Sequence, residues 1–395
     1  MTTVGFAISV DAAWLGGINY YRNLITALYE DPDRSIDVVL MTGLDAGKDN
    51  FKGFPKLKII RSAVFDRKSL LGLARRLVKR ITGQDYVIDW WLAWRGIDVL
   101  SHSIALWKNA RTPVISWIPD FQHLHLPALF SPQEVEERNR WFQLLCEGSV
   151  VVVLSSESAR GDLVELFPWA ADKSEVLRFV PDIEALDKIP ALAEIEQRHG
   201  FSGPYMYLPN QYWAHKNHAL VVEALALLKQ AGRQVKVIST GSPVDLRHPE
   251  FYSNFCERVK TLGVGGSYLQ LGVVPYLDLL ALMRHAVCVI NPSLFEGWSS
   301  TVEESKALSK HILLSNISVH REQNPASSDY FAVDDVGALV EIIWRRWQEY
   351  AGASNGIDEA RVTQEHRQRR LAFSRKYHRI VDRAVRRARP ESTNA

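Results

Sequence analysis

Two glutamates, Glu296 and Glu304, share the segment Asn291-Pro-Ser-Leu-Phe-Glu-Gly-Trp-Ser-Ser-Thr-Val-Glu-Glu-Ser305, which follows the apolar run Val287–Ile290. Carboxylates accept paired hydrogen bonds from vicinal hydroxyls such as those of a ribose or a hexose. If the apolar run is a strand of a parallel sheet, the polar turn after it lies at the carboxyl end, where open α/β sheets bind their ligands. Ser300-Thr-Val-Glu303 has the form of a capping box, which predicts a helix start with backbone N–H groups free for a phosphate or a sugar hydroxyl. Gly297, Trp298, Ser299 and Ser300 would then line the ligand. The glutamate spacing by itself also fits an ordinary strand, turn and helix with surface carboxylates. A second loop, Leu208-Pro-Asn-Gln-Tyr-Trp-Ala-His-Lys-Asn-His218, holds Asn210, Gln211 and Lys216 between another apolar run and a helical pattern. Near the start, Gly16 and Gly17 follow the first apolar run, and without side chains they would let a diphosphate or an acceptor approach the backbone.

The elements that must carry these residues alternate along the chain. Apolar runs at Gly5–Val10, Ile36–Met41, Val99–Ser101, Val114–Trp117 and Val150–Leu154 are interleaved with helical patterns such as Ile18–Tyr29. A second series runs through Tyr205–Leu208, Val235–Ser239, Tyr268–Leu271, Val287–Ile290 and Ile312–Ser315, with helices predicted at Ala191–His199, His218–Gln230 and Leu277–His285. Such alternation predicts βαβ units and mostly parallel sheets, an α/β class. A chain of 395 residues accommodates two such domains. The reading divides it into residues 1–182, residues 183–360 and a basic helix and tail at 361–395. The net charge of +2 gives no reason to expect a nucleic-acid partner. Cys146, Cys256 and Cys288 form no C-x-x-C pair and sit in apolar surroundings, so a reducing compartment and no structural zinc are expected. The N-terminus lacks the pattern of a signal peptide and no run is long enough to span a bilayer, which predicts a cytoplasmic protein.

Phe295-Glu-Gly-Trp-Ser-Ser-Thr-Val-Glu-Glu304, with Ala307-Leu-Ser-Lys-His-Ile-Leu-Leu-Ser-Asn316 and Val319-His-Arg-Glu322, resembles the Glu-x7-Glu region of the GT4 family of retaining GT-B glycosyltransferases. The Asn210–His218 loop is similar to the family's diphosphate loop, and the glycine pair at Gly16–Gly17 stands where the family has one. Trp117-Ile-Pro-Asp-Phe-Gln-His-Leu-His-Leu-Pro127 resembles its His-Asp loop. The resemblance implies two Rossmann-like domains with a cleft between them, a donor domain at the C-terminal side and an acceptor domain at the N-terminal side. It implies that Glu296 faces the donor sugar, Glu304 binds the ribose, Lys216 meets the diphosphate and Val274 offers main-chain contacts to the base. Asp120 keeps its register in the His-Asp loop, whereas Pro119 replaces the usual histidine, with His123 and His125 as nearby substitutes. Gln211 stands where the family has an arginine, and His215 or His218 would make up part of that charge.

The activity so implied is transfer of a hexose, with retention, from a nucleotide-diphosphate sugar to a glycan or lipid-linked acceptor, with no cofactor. A sugar-nucleotide epimerase of the same fold and a non-catalytic sugar-nucleotide-binding subunit are the other two readings. No metal is expected, because Asp31-Pro-Asp33 falls between a helix and the next strand, at the sheet edge away from the ligand crevice. In Arg67–Ile81, Leu70, Leu73, Leu77 and Ile81 share one helical face flanked by basic residues. Core packing and peripheral contact with a membrane surface are both open for that stripe.

Overall fold

The computed structural model describes residues 1–7, 15–44, 46, 51, 53–66, 68–102, 110–183, 188–350 and 359–388. The chain forms two compact units, Met1–Asp182 with Gln368–Ala395, and Ile183–Arg367. Each is built on one parallel sheet.

Among the described residues the first unit has seven strands: β1 (Thr2–Ala7), β2 (Ile36–Thr42), β3 (Lys58–Arg61), β4 (Val99–Ser101), β5 (Val114–Ile118), β6 (Val151–Leu154) and β7 (Ser174–Val176). Their spatial order is β3-β2-β1-β4-β5-β6-β7, so the winding reverses between β1 and β4. Helices α1 (Leu15–Glu30), α2 (Leu70–Thr82), α3 (Tyr86–Trp94), α4 (Gln122–His125), α5 (Pro132–Gly148) and α6 (Glu157–Leu166) connect them. Central strands such as Val151-Val-Val-Leu154 are fully buried, as expected of a parallel sheet covered on both faces.

The second unit has six strands among the described residues: β8 (Met206–Leu208), β9 (Val237–Ser239), β10 (Tyr268–Gln270), β11 (Val289–Asn291), β12 (Ile312–Ser315) and β13 (Ser328–Phe331). The order is β10-β9-β8-β11-β12-β13, with the reversal between β8 and β11. Its helices are α7 (Leu192–His199), α8 (His218–Gln230), α9 (Phe251–Thr261), α10 (Tyr276–His285), α11 (Ser300–Ala307), α12 (Ser318–Gln323) and α13 (Val336–Tyr350).

The last helix, α14 (Glu359–Ala388), was set apart in sequence by its charge, yet from Gln368 onward it belongs to the first unit. Phe373, Tyr377, Ile380, Val381 and Ala384 recur at helical spacing and complete the core formed by β1, β2 and α1. Several of its basic residues pair within that same unit. Arg370 pairs with Glu30 and Asp182, Arg375 with Asp33, and both Lys376 and Arg383 with Glu175. Ser374 donates to Asp31 at 2.8 Å. Asp31 and Asp33 lie between α1 and the start of β2, the amino edge of the sheet, and both carboxylates are held by α14.

Three strands have no counterpart in the sequence reading: β3, β7 and β13. Each lies at a sheet edge. Their sequences, Lys-Ile-Ile-Arg, Ser-Glu-Val and Ser-Asp-Tyr-Phe, are short and polar, as edge strands are.

Candidate active site

Parallel strands wound in opposite directions leave a crevice at their carboxyl ends where the winding reverses. In the second unit that point lies between β8 and β11, and the two loops leaving these strands carry Lys216 and Glu296. The loop after β8 closes in a single 3₁₀ turn, Ala214–Lys216. Asn217 then takes a left-handed conformation, φ 53°, before α8 begins. Its side chain donates to the carbonyls of Pro292 and Val333, which ties the β8 loop to the β11 loop. Leu294 adds a backbone bond to the carbonyl of His215 at 2.8 Å. With the loops so fixed, Lys216 Nζ donates to Glu296 Oε1 at 2.7 Å.

Glu296 also accepts from Ser293 Oγ at 2.7 Å, again on Oε1. Burial pushes its pKa up, but the Lys216 ammonium prevails and holds it at about 2. It is therefore a carboxylate at any working pH. Oε2 has no partner among the described residues and remains to accept a bond from a ligand hydroxyl.

Glu304, one turn into α11, is the opposite case. It is 8% exposed, and the Tyr276 hydroxyl, 3.2 Å away, is its one hydrogen-bond donor among the described residues. Burial without a neighbouring cation raises its pKa to about 7.

Helix α11 starts one residue before the expected capping box. Ser299 is the N-cap, its Oγ accepting from Val302 N, and Glu303 turns to Lys306 and Gln323 instead of reaching back. Gln323 also takes both backbone groups of Ser299, so that N–H is occupied. The amides of Ser300 and Thr301 have no acceptor among the described residues, and Ser300 is exposed. The amides left open at this helix start, among the described residues, are thus those of Ser300 and Thr301. Gly297 and Trp298 are half-buried in the same loop.

Asn210 is 5% exposed and bonds Asn291 and Thr301, so it joins β8 to β11 and α11. The backbone of Gln211 accepts from His218 Nε2 at 3.0 Å. His215 and His218 do not supply the charge expected of them. Burial lowers their pKa values to about 3 and about 4, which keeps both imidazoles neutral near pH 7. Val274 is half-buried between β10 and α10, in the turn that follows Gly272.

Two residues to which the sequence reading gave no role support this centre. Gly241, at φ 149°, lies against the β8 loop so closely that a Cβ would stand 2.4 Å from the Asn210 carbonyl. A lone glycine after β9 gave no signal of that contact. His320 is fully buried, with Nδ1 on Ser315 and no partner for Nε2 among the described residues.

The remaining candidates belong to the first unit. Asp120 accepts from Gln122 N at 3.0 Å and lines an open groove with Pro119, Glu134, Glu137, Arg138, Trp141 and Phe142. His123 is fully buried, packs on Phe121, Phe130 and Phe142, and bonds Asn139 at 2.8 Å. An imidazole held in that aromatic core does not reach solvent, so His123 is a packing residue here. Gly16 and Gly17 are in the first turn of α1 instead of a separate loop, and residues 8–14 ahead of them lie outside the described residues. Among the described residues no cluster of histidine, cysteine and carboxylate side chains could hold a metal ion.

Solved structures with this architecture span the whole chain. Anabaena HepE in complex with UDP is 16% identical, covers 97% of this chain and 100% of its own, and superposes with a TM-score of 0.66. A glycosyltransferase from Rickettsia africae is 16% identical with a TM-score of 0.67 over 99% of both chains. Sucrose-phosphate synthase from Thermosynechococcus elongatus gives 0.63 at 14% identity, covering 97% of this chain and 98% of its own. The fold is GT-B. Residues 196–343 match the model of the family Glycosyl transferases group 1. That stretch contains most of the second GT-B unit and every residue of the Lys216–Glu296–Glu304 arrangement. No curated protein sequence matches the chain.

Proposed function

We propose that the protein is a retaining glycosyltransferase of the GT4 type that moves a hexose from a nucleotide-diphosphate sugar to a glycan or lipid-linked acceptor in the cytoplasm. The observation that carries this reading is the pairing of Lys216 with Glu296 where the second sheet reverses its winding. One cation there faces a diphosphate, and one permanently ionised carboxylate keeps an oxygen free for sugar hydroxyls. Glu304 accepts from the ribose diol, and its single protein donor leaves acceptor capacity for that purpose. The amides of Ser300 and Thr301 add oriented dipoles for the phosphates. A uridine diphosphate donor is the first to test, since HepE was solved with UDP and with UDP-glucose.

With same-face attack, the leaving phosphate takes the acceptor proton, so no separate base is required and the burial of His123 is no obstacle. Charge on the diphosphate is met by Lys216 and the helix start, without a metal. The test is release of nucleoside diphosphate from UDP-, GDP- and ADP-hexoses in excess EDTA. Release with one of these donors is the expected result, and activity that appears only on adding magnesium or manganese contradicts the metal-free part.

A further inference from the structure

Helix α2 is rolled so that its apolar stripe points to solvent. Leu70, Leu73, Leu77 and Ile81 are 87, 47, 60 and 75% exposed. The face turned to the protein is the polar one, and its contacts fix the roll of the helix. Arg75 Nε donates to both oxygens of Asp85, at 3.0 and 2.8 Å, and Nη1 donates to the Val64 carbonyl at 3.0 Å. Asp85 is 1% exposed, so turning the helix over would strand a buried carboxylate. Gly72 sits so close to the preceding loop that a Cβ would come 2.0 Å from the Asp66 carbonyl oxygen. Ser69 caps the helix on the same side, accepting from Gly72 N and donating to the Ala63 carbonyl.

The adjoining helix repeats the arrangement. Trp90 and Trp94 on α3 are 65 and 61% exposed, stacked on each other at 5.8 Å, with the Arg95 guanidinium 4.2 Å over Trp94. Arg76 and Arg80 are exposed beside the leucine stripe, and α2 contains no acidic residue. Exposed apolar side chains grouped on two adjoining helices of a folded unit mark a site of association.

We infer that α2, together with Trp90 and Trp94 of α3, seats the first unit on an anionic lipid surface. The charge pattern selects this occupant. An apolar stripe with arginines along one edge and no acidic residue on its helix fits acyl chains beneath acidic headgroups, and tryptophan favours the same interfacial depth. A second copy docked through a two-fold axis would set this arginine edge against the same basic patch, with no acidic residue on the helix to answer it. No helix among the described residues is long and apolar enough to cross a membrane, so the contact is peripheral. It stands independently of the donor reading, because its readout is binding and not turnover.

The experiment is co-sedimentation of the full chain with vesicles of phosphatidylcholine alone and with roughly a third phosphatidylglycerol, in low and high salt. The protein is expected to pellet with the anionic vesicles. Leu77→Glu with Ile81→Glu should abolish this without changing the melting temperature, since both side chains are exposed. Arg76→Gln with Arg80→Gln should weaken partitioning about tenfold or more and remove the preference for anionic lipid. Wild type that stays in the supernatant with both vesicles overturns the inference, as does binding that neither variant alters. A concentration-dependent dimer, formed without vesicles and lost in the Leu77/Ile81 variant, also overturns it and assigns the surface to a second copy.

Discussion

Two buried glutamates eight positions apart have been driven to opposite ends of the carboxylate range by one difference, a cation within reach. Lys216 holds Glu296 at about 2, while Glu304, without such a partner, rises to about 7. A carboxyl whose folded pKa is raised keeps its proton after the unfolded chain has lost it. Stability therefore falls as pH rises from about 4.5 to about 7, and the full penalty remains above that range. Glu304→Gln should relieve it, making the protein more stable than wild type at pH 8 by up to about 3 kcal/mol and raising its melting temperature, with the gain vanishing near pH 4.5. The same variant should bind donor more weakly, because ribose contacts are common to ground and transition states. A wild-type melting temperature at pH 8, or an unaltered donor Kd, contradicts these assignments. Both glutamates and Lys216 were legible as chemistry-bearing residues from their place after apolar runs. Their different protonation was not, because it depends on which carboxylate the β8 loop reaches.

At the level of elements, the alternation of apolar runs and helical patterns was enough to place the central strands, and the reversal between β8 and β11 explains why loops about eighty residues apart in sequence meet. The edge strands were not legible because they lack the apolar run that signals a covered strand. The helix start was misread by one residue because Ser300, with Glu303 three positions on, fits the capping-box pattern and Ser299 does not, whereas Gln323, far along the chain, binds both backbone groups of Ser299, the actual N-cap. Gly241 was missed for a related reason: its requirement comes from the loop after β8, not from its own neighbours. Gly241→Ala should push the Asn210–Gln211 backbone out of place and weaken donor binding roughly tenfold or more, about 1.4 kcal/mol, by titration calorimetry. Donor affinity equal to wild type would show that this loop does not bear on the donor.

On the scale of the whole molecule, the chain returns to its first unit after completing the second. The basic composition of α14 suggested a separate tail, but its charges pair with Glu30, Asp33, Glu175 and Asp182, and its apolar face fills the core of the first unit. Phe373→Ala should cost about 3–5 kcal/mol, the range for deleting a buried aromatic ring, measured by denaturant unfolding. A loss under about 1 kcal/mol would mean that the helix is an appendage. The central claim, that this GT-B protein transfers a sugar by setting Lys216 against the leaving diphosphate, is tested most directly by turnover of Lys216→Ala at saturating donor, with its fold checked by circular dichroism. Removing one preorganised electrostatic donor should raise the barrier by roughly 2–4 kcal/mol, a loss of about thirty- to a thousandfold in nucleoside diphosphate released. A folded Lys216→Ala protein that turns over donor at the wild-type rate would contradict the account.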